Sequence, residues 1–138
     1  MTPAQIELVQ ESWARTAPLG EVAAALFYER LFALEPGLRP VVGADLPAQR
    51  RRLLAMIAYA VKGLNRIEAL RPGLEELGRR HAACGVRDEH YAAVAKALLW
   101  TLGRTLGGAF TAEVEQAWAS AYALLAAGVK QMPLRQAA

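Results

Sequence analysis

The stretch "LGRRHAACGV", Leu77–Val86, sets one histidine among residues spaced like the inward face of a helix. Leu74, Leu77, His81 and Cys84 recur at intervals of three, four and three, the repeat of a single stripe on a 3.6-residue helix. Read this way, a short helix starts after Pro72, closes at Gly85 as a candidate C-cap and buries His81. A buried polar group without a partner costs about 1 to 3 kcal/mol. His81 therefore needs one.

The same periodicity extends in both directions. Thr2, Pro3 and Gln5 form a capping-box signature, and Ile6, Val9 and Trp13 follow on one face until Pro18–Gly20 interrupts. A second helix is expected over 21–35; "VAAALFY", Leu31, Phe32 and Leu34 make it apolar on most sides, so it should lie between other helices. "EPGLRPVVGADLP" reads as one helical turn and a loop. A long helix over 45–65 carries Leu46, Leu53, Ile57, Ala60 and Leu64 on one face, with Gln49 on that same face. Asp88 opens a helix through Tyr91, Val94, Leu98 and Leu102 that ends at Gly107–Gly108; Thr111 caps a last one that runs to Pro133. No strand pattern, repeat or interior linker is visible, so the expectation is one all-α domain over 1–138.

Composition narrows the class. Hydrophobic residues are 54% and charged residues 21% of 138, which excludes disorder and allows a self-sufficient core. A lone cysteine, Cys84, allows no internal disulfide, and "MTPAQIELVQ" lacks the basic start and apolar run of a secretory signal. A reducing cytoplasm is expected. "AWASAYALLAAGV" is shorter than the roughly 20 residues that cross a bilayer, so no membrane span is expected. The net charge of +3 comes largely from Arg50–Arg52, which stand beside no aromatic platform; a solvated face is the reading there, not nucleic-acid binding.

Two long helices thus each place a hydrogen-bonding side chain, His81 and Gln49, on an apolar stripe. One reading satisfies them with backbone or loop groups. The other holds a ligand between the two helices. An all-protein metal site is poorly supported, since His90 is the one other histidine and no Cys pair completes four ligands. Nucleophilic catalysis by Cys84 with His81 lacks an orienting third group, and Cys84 reads better as a small core residue. A single imidazole can, however, hold the iron of a haem, whose porphyrin supplies four further ligands.

Five segments in order, "ELVQESWART", "LFYERLFALEP", "LPAQRRRLL", "LGRRHAACGVRDEHYAAV" and "AWASAYALLA", resemble the globin family, in particular single-domain bacterial globins and the globin module of flavohaemoglobins. The resemblance implies the globin fold, about seven or eight helices around a b-type haem. It implies His81 as the proximal iron ligand, its other nitrogen donating to a carbonyl near Leu77, with Tyr91 close to the imidazole. It implies Tyr28 and Gln49 as distal hydrogen-bond donors, and Leu53 as the apolar residue above a five-coordinate iron. Arg52 and Arg80 are candidates for pairing with haem propionates, while Val86 and Val94 join the cofactor lining. Dioxygen in such a pocket draws partial negative charge, so two donors contributing about 1.5 to 3 kcal/mol slow its release about ten- to a hundredfold.

The chain departs from the family twice. Val42 stands where globins usually place a phenylalanine against the porphyrin, which implies a roomier pocket and weaker haem retention. The carboxylate that flavohaemoglobins carry late in the last helix has no counterpart, since no Asp or Glu follows Glu115 in this sequence, and no reductase domain is expected within it. These features favour reversible binding of O2, for storage or transport, over a nitric oxide dioxygenase that draws electrons from a separate reductase. A gas sensor would have to signal through a partner. The expected partners are O2, NO or other small gases; oligomeric state is not legible.

Overall fold

The computed structural model describes residues 1–130. Among them are seven α-helices: α1 (Pro3–Thr16), α2 (Gly20–Leu34), α3 (Leu38–Val42), α4 (Leu46–Lys62), α5 (Ile67–Ala83), α6 (Asp88–Leu106) and α7 (Ala112–Val129), with 3-10 turns at Ala17–Leu19, Leu64–Arg66 and Gly107–Ala109. Among the described residues there is no strand, as the sequence pattern requires. No described helix is long and apolar enough to cross a membrane.

Several helix ends follow directly from local chemistry. At α1 the Thr2 hydroxyl accepts from the Gln5 N–H at 3.1 Å while Gln5 Oε1 accepts from the Thr2 N–H at 3.0 Å, a reciprocal box that satisfies two orphan donors. Thr111 caps α7 through the Val114 N–H. Asp45 caps α4 through the Ala48 N–H. After α5, Gly85 adopts φ +95°, and the Val86 N–H returns to the His81 carbonyl at 2.9 Å, closing the helix as a Schellman-type stop.

Two sequence expectations are corrected. The fifth helix begins at Ile67, not after Pro72, so Pro72 lies inside it. An interior proline costs about 3 kcal/mol, and burying Leu70 together with Leu74 against Val129 offsets a loss of that size, since each leucine is worth about 1.5 to 3 kcal/mol. Cys84 is exposed rather than in the core: α5 ends at Ala83, so the stripe does not continue to the next position. The projected end of the last helix at Pro133 lies outside the described residues.

Three apolar clusters organise the packing. The first joins α1, the end of α4, α6 and α7 through Val9, Val61, Leu102 and Trp118; the Trp118 indole N–H donates to the buried Ser12 hydroxyl at 2.7 Å, tying α7 to α1. In the second, Phe27, Tyr28, Leu31 and Phe32 of α2 meet Leu38 of α3 and Ala93 and Ala97 of α6. The apolar second helix is indeed covered by α6 and α4, although Val22 and Leu34 remain exposed. The third cluster holds α5 to α7. At their crossing Gly78 is required: a Cβ there would overlap the Val129 carbonyl oxygen and lie 2.9 Å from its carbon. By contrast α4 and α5 pack on other helices and touch each other little, which leaves a slot between them.

Candidate functional site

The slot is a cavity of about 240 Å³ where the three clusters fail to meet. Its walls come from α2 (Phe27, Tyr28, Leu31), α4 (Leu53, Met56, Ile57), α5 (Leu74, Leu77, His81), α6 (Tyr91, Val94, Leu98) and α7 (Trp118, Tyr122, Leu125), with Val41, Val42 and Val86 at its margins. Well-packed protein interiors leave few spaces of this size, and an almost wholly apolar lining suits an apolar occupant.

Few polar groups reach the cavity. His81 stands half-buried on α5, and its Nδ1 is fully buried with no hydrogen-bond partner. Burial and the neighbouring Arg80 guanidinium push the imidazole below its ordinary 6.5, so it is neutral and keeps a lone pair at pH 7. The Tyr91 ring lies 6.5 Å from the His81 ring, centre to centre, tilted by 56°. On α2, Tyr28 is buried, and its hydroxyl donates to the Gln49 backbone carbonyl at 3.3 Å. Burial raises the Tyr28 pKa, which keeps the hydroxyl protonated and a donor. Phe27 and Phe32 flank that ring and fix its plane.

The structure brings Tyr28, Val42, Leu53, Leu77, His81, Val86, Tyr91 and Val94 to one cavity. It does not bring Gln49, Arg52 or Arg80 there. Gln49 is half-buried and presents its carbonyl, not its amide, to Tyr28. Arg52 is exposed, and Arg80 is exposed and lies 3.9 Å from Glu76, its i−4 neighbour. The expected bond from His81 to a carbonyl near Leu77 is not made, since that nitrogen has no partner. The sequence reading leaves out other residues of the wall, among them His90, Tyr122 and Met56. Tyr122, whose hydroxyl donates to the Tyr91 carbonyl at 2.8 Å, sits on the α7 stripe and reads as core. Met56 lies one turn beyond Leu53 but off the apolar repeat chosen for α4.

The globin sequence profile matches residues 25–129, which include every described residue of the cavity wall. The chain belongs to the globin family. Its relatives include the flavohemoprotein of Bordetella parapertussis, 36% identical over 118 residues that make up 80% of this chain and 29% of that protein. The flavohemoprotein of Bacillus subtilis is 28% identical, covering 88% and 31%. The chain thus spans about a third of the length of these relatives. The neuroglobin of Chaenocephalus aceratus is 28% identical over 91% of this chain and 87% of its own. Among solved structures, a bacterial globin from Campylobacter jejuni superposes with a TM-score of 0.81 at 23% identity, covering 94% of each chain, and shares the fold.

Globins bind haem and, through it, small gases. The residues present fit that group: an orphaned, neutral imidazole on α5 projects from an otherwise apolar slot between α4 and α5. When bound, haem would supply an iron that a protein nitrogen holds and that a small gas can join.

Proposed function

We propose that this globin reversibly binds O2 on a b-type haem, for storage or transport, with His81 as the protein's ligand to iron and Tyr28 as the hydrogen-bond donor to the gas. The observation that carries the proposal is the pairing of an unpartnered imidazole with a protonated tyrosine on the wall of one apolar cavity. Tyr28 is poised rather than free: its 3.3 Å bond to the Gln49 carbonyl is long for an O–H···O contact, so reorienting toward a more negative acceptor gives up little. Leu53, Met56 and Ile57 exclude water from the same space, which strengthens any hydrogen bond made inside it. Gln49 acts through its backbone as the holder of Tyr28. Val42, Val86, Tyr91 and Val94 form the apolar sides of the cofactor slot. Arg52 and Arg80, both outside the cavity, reach propionates by reorienting at the surface. The proposed location is cytoplasmic, in keeping with a free surface thiol.

The flavohemoprotein relatives favour a second reading, a nitric oxide dioxygenase served by a separate reductase. Among the described residues, however, no carboxylate partners the His81 imidazole: its Nδ1 makes no hydrogen bond, Glu76 pairs with Arg80 at 3.9 Å and Asp88 with Lys130 at 3.9 Å. An imidazole without an anionic partner donates less electron density to iron, which suits a reversible binder better than oxygen chemistry. The test is a titration of the haem-free protein with haemin, reduction, and cycling between O2 and argon. Reversible spectra support the binder. Repeated nitrate formation from NO with a reductase present would support the dioxygenase instead.

A further inference from the structure

A second concavity lies across α6 from the haem slot. The helix turns Tyr91, Val94 and Leu98 toward the slot, and Lys96, Leu99, Trp100 and Arg104 toward this groove. Arg30 of α2 and Phe110 complete the wall of this open groove.

The charge of the groove is unbalanced. Three cations, Arg30, Lys96 and Arg104, line it against a single carboxylate, Glu115, and among the described residues none of the three forms an ion pair. Arg30 and Arg104 instead both lie over the Trp100 ring, 5.0 and 5.3 Å from its centre. Both guanidiniums are thus exposed beside one indole with no carboxylate partner among the described residues, and an anion arriving there meets two cations. The stacking also holds their N–H groups in place, so less side-chain freedom is lost when an oxyanion binds.

We propose that this groove binds a small organic anion, with a carboxylate or phosphate head taken by Arg30 and Arg104 and an apolar body against Leu99 and Phe110. The site is independent of the haem slot, and it requires both parts of its ligand. The charged head is recognised by charge-assisted hydrogen bonds, and the body by the aromatic and aliphatic wall.

The experiment uses haem-loaded protein and isothermal titration calorimetry, with octanoate, octanol and inorganic phosphate as probes and the Soret band followed alongside. Octanoate is expected to bind once per chain without moving the Soret band, and at least tenfold more tightly than either octanol or phosphate. Its affinity should fall as salt rises. The double variant Arg30→Gln/Arg104→Gln should lose at least tenfold in octanoate affinity while its Soret band stays unchanged; should the pair fail to fold, each single variant should lose at least threefold. Octanol binding as well as octanoate would overturn the charged head, and phosphate doing so would overturn the apolar body. A variant that binds octanoate as well as the parent would overturn the arginine pair. Octanoate that binds only with a Soret shift would place it in the haem slot and sink the proposal, leaving the haem reading intact.

Discussion

Gly78 sits three residues before His81, where α5 crosses the end of α7. Replacing it with alanine would drive a methyl group into the Val129 carbonyl, a backbone group that cannot rotate away as a side-chain tip can. Overpacking of this kind costs about 1 to 3 kcal/mol, and backbone contact puts it at the upper end, about 3 kcal/mol. Alanine recovers about 1 kcal/mol of helix propensity over glycine. The net loss is about 2 kcal/mol. At about 3 to 4 °C per kcal/mol for a chain of this size, the melting temperature should fall by about 6 to 8 °C. Far-UV circular dichroism at matched haem saturation reads this directly, because bound haem itself adds stability. The same displacement moves the stripe that carries His81, so the Soret band should shift or broaden. Gly73→Ala, on the same helix with an ordinary 3.7 Å contact to Tyr59, is the control and should be neutral or slightly stabilising. An unchanged melting temperature in Gly78→Ala would refute the close α5–α7 crossing and, with it, the way His81 is held.

Tyr28→Phe removes the donor from the cavity while keeping the ring; dioxygen release measured by stopped flow should quicken about tenfold, the equivalent of about 1.4 kcal/mol, and an unchanged rate would remove Tyr28 from ligand binding. Val42→Phe adds an aromatic ring at the cavity margin and should slow haem transfer to an acceptor apoprotein about tenfold; faster loss would mean the corner is already filled. Burial holds the Tyr122 hydroxyl above its ordinary 10.0, so the unfolded chain gives up its proton first. The contribution of Tyr122 is therefore complete below about pH 10 and is lost as pH rises beyond it. Urea midpoints should fall less steeply above that pH in Tyr122→Phe than in the parent, at the expense of about 1 kcal/mol at neutral pH for the lost bond to Tyr91. Parallel slopes would contradict the burial of that hydroxyl.

Much of the helical frame is legible in the sequence because its signals are local. The Thr2–Gln5 box, the Thr111 cap and the positive-φ Gly85 act within a few residues, and the Leu74–Leu77–His81 spacing identifies a stripe whose cavity face the structure supplies. The misreadings arise where tertiary contacts override local preference. Pro72 looks like a helix boundary until Leu70 finds its place beside Val129, and Cys84 looks buried until the chain turns at Gly85. The polar residues were hardest to place. Tyr28 bonds the backbone carbonyl of Gln49 and not its side-chain amide, and a long arginine such as Arg80 can pair with Glu76 on its own helix, so position along the chain does not settle where either head group goes. Gly78 could have been noticed as a glycine on an otherwise good helix, yet nothing in the sequence names Val129 as the group it admits.

The most direct test of the whole account is the visible spectrum of His81→Gly beside the parent after haem loading. If His81 is the protein's ligand to iron, the variant loses the parent's ferrous spectrum, and added imidazole, which can occupy the space the side chain leaves, restores it. A variant that keeps the parent's spectrum without imidazole would contradict that role and would require another residue to hold the iron.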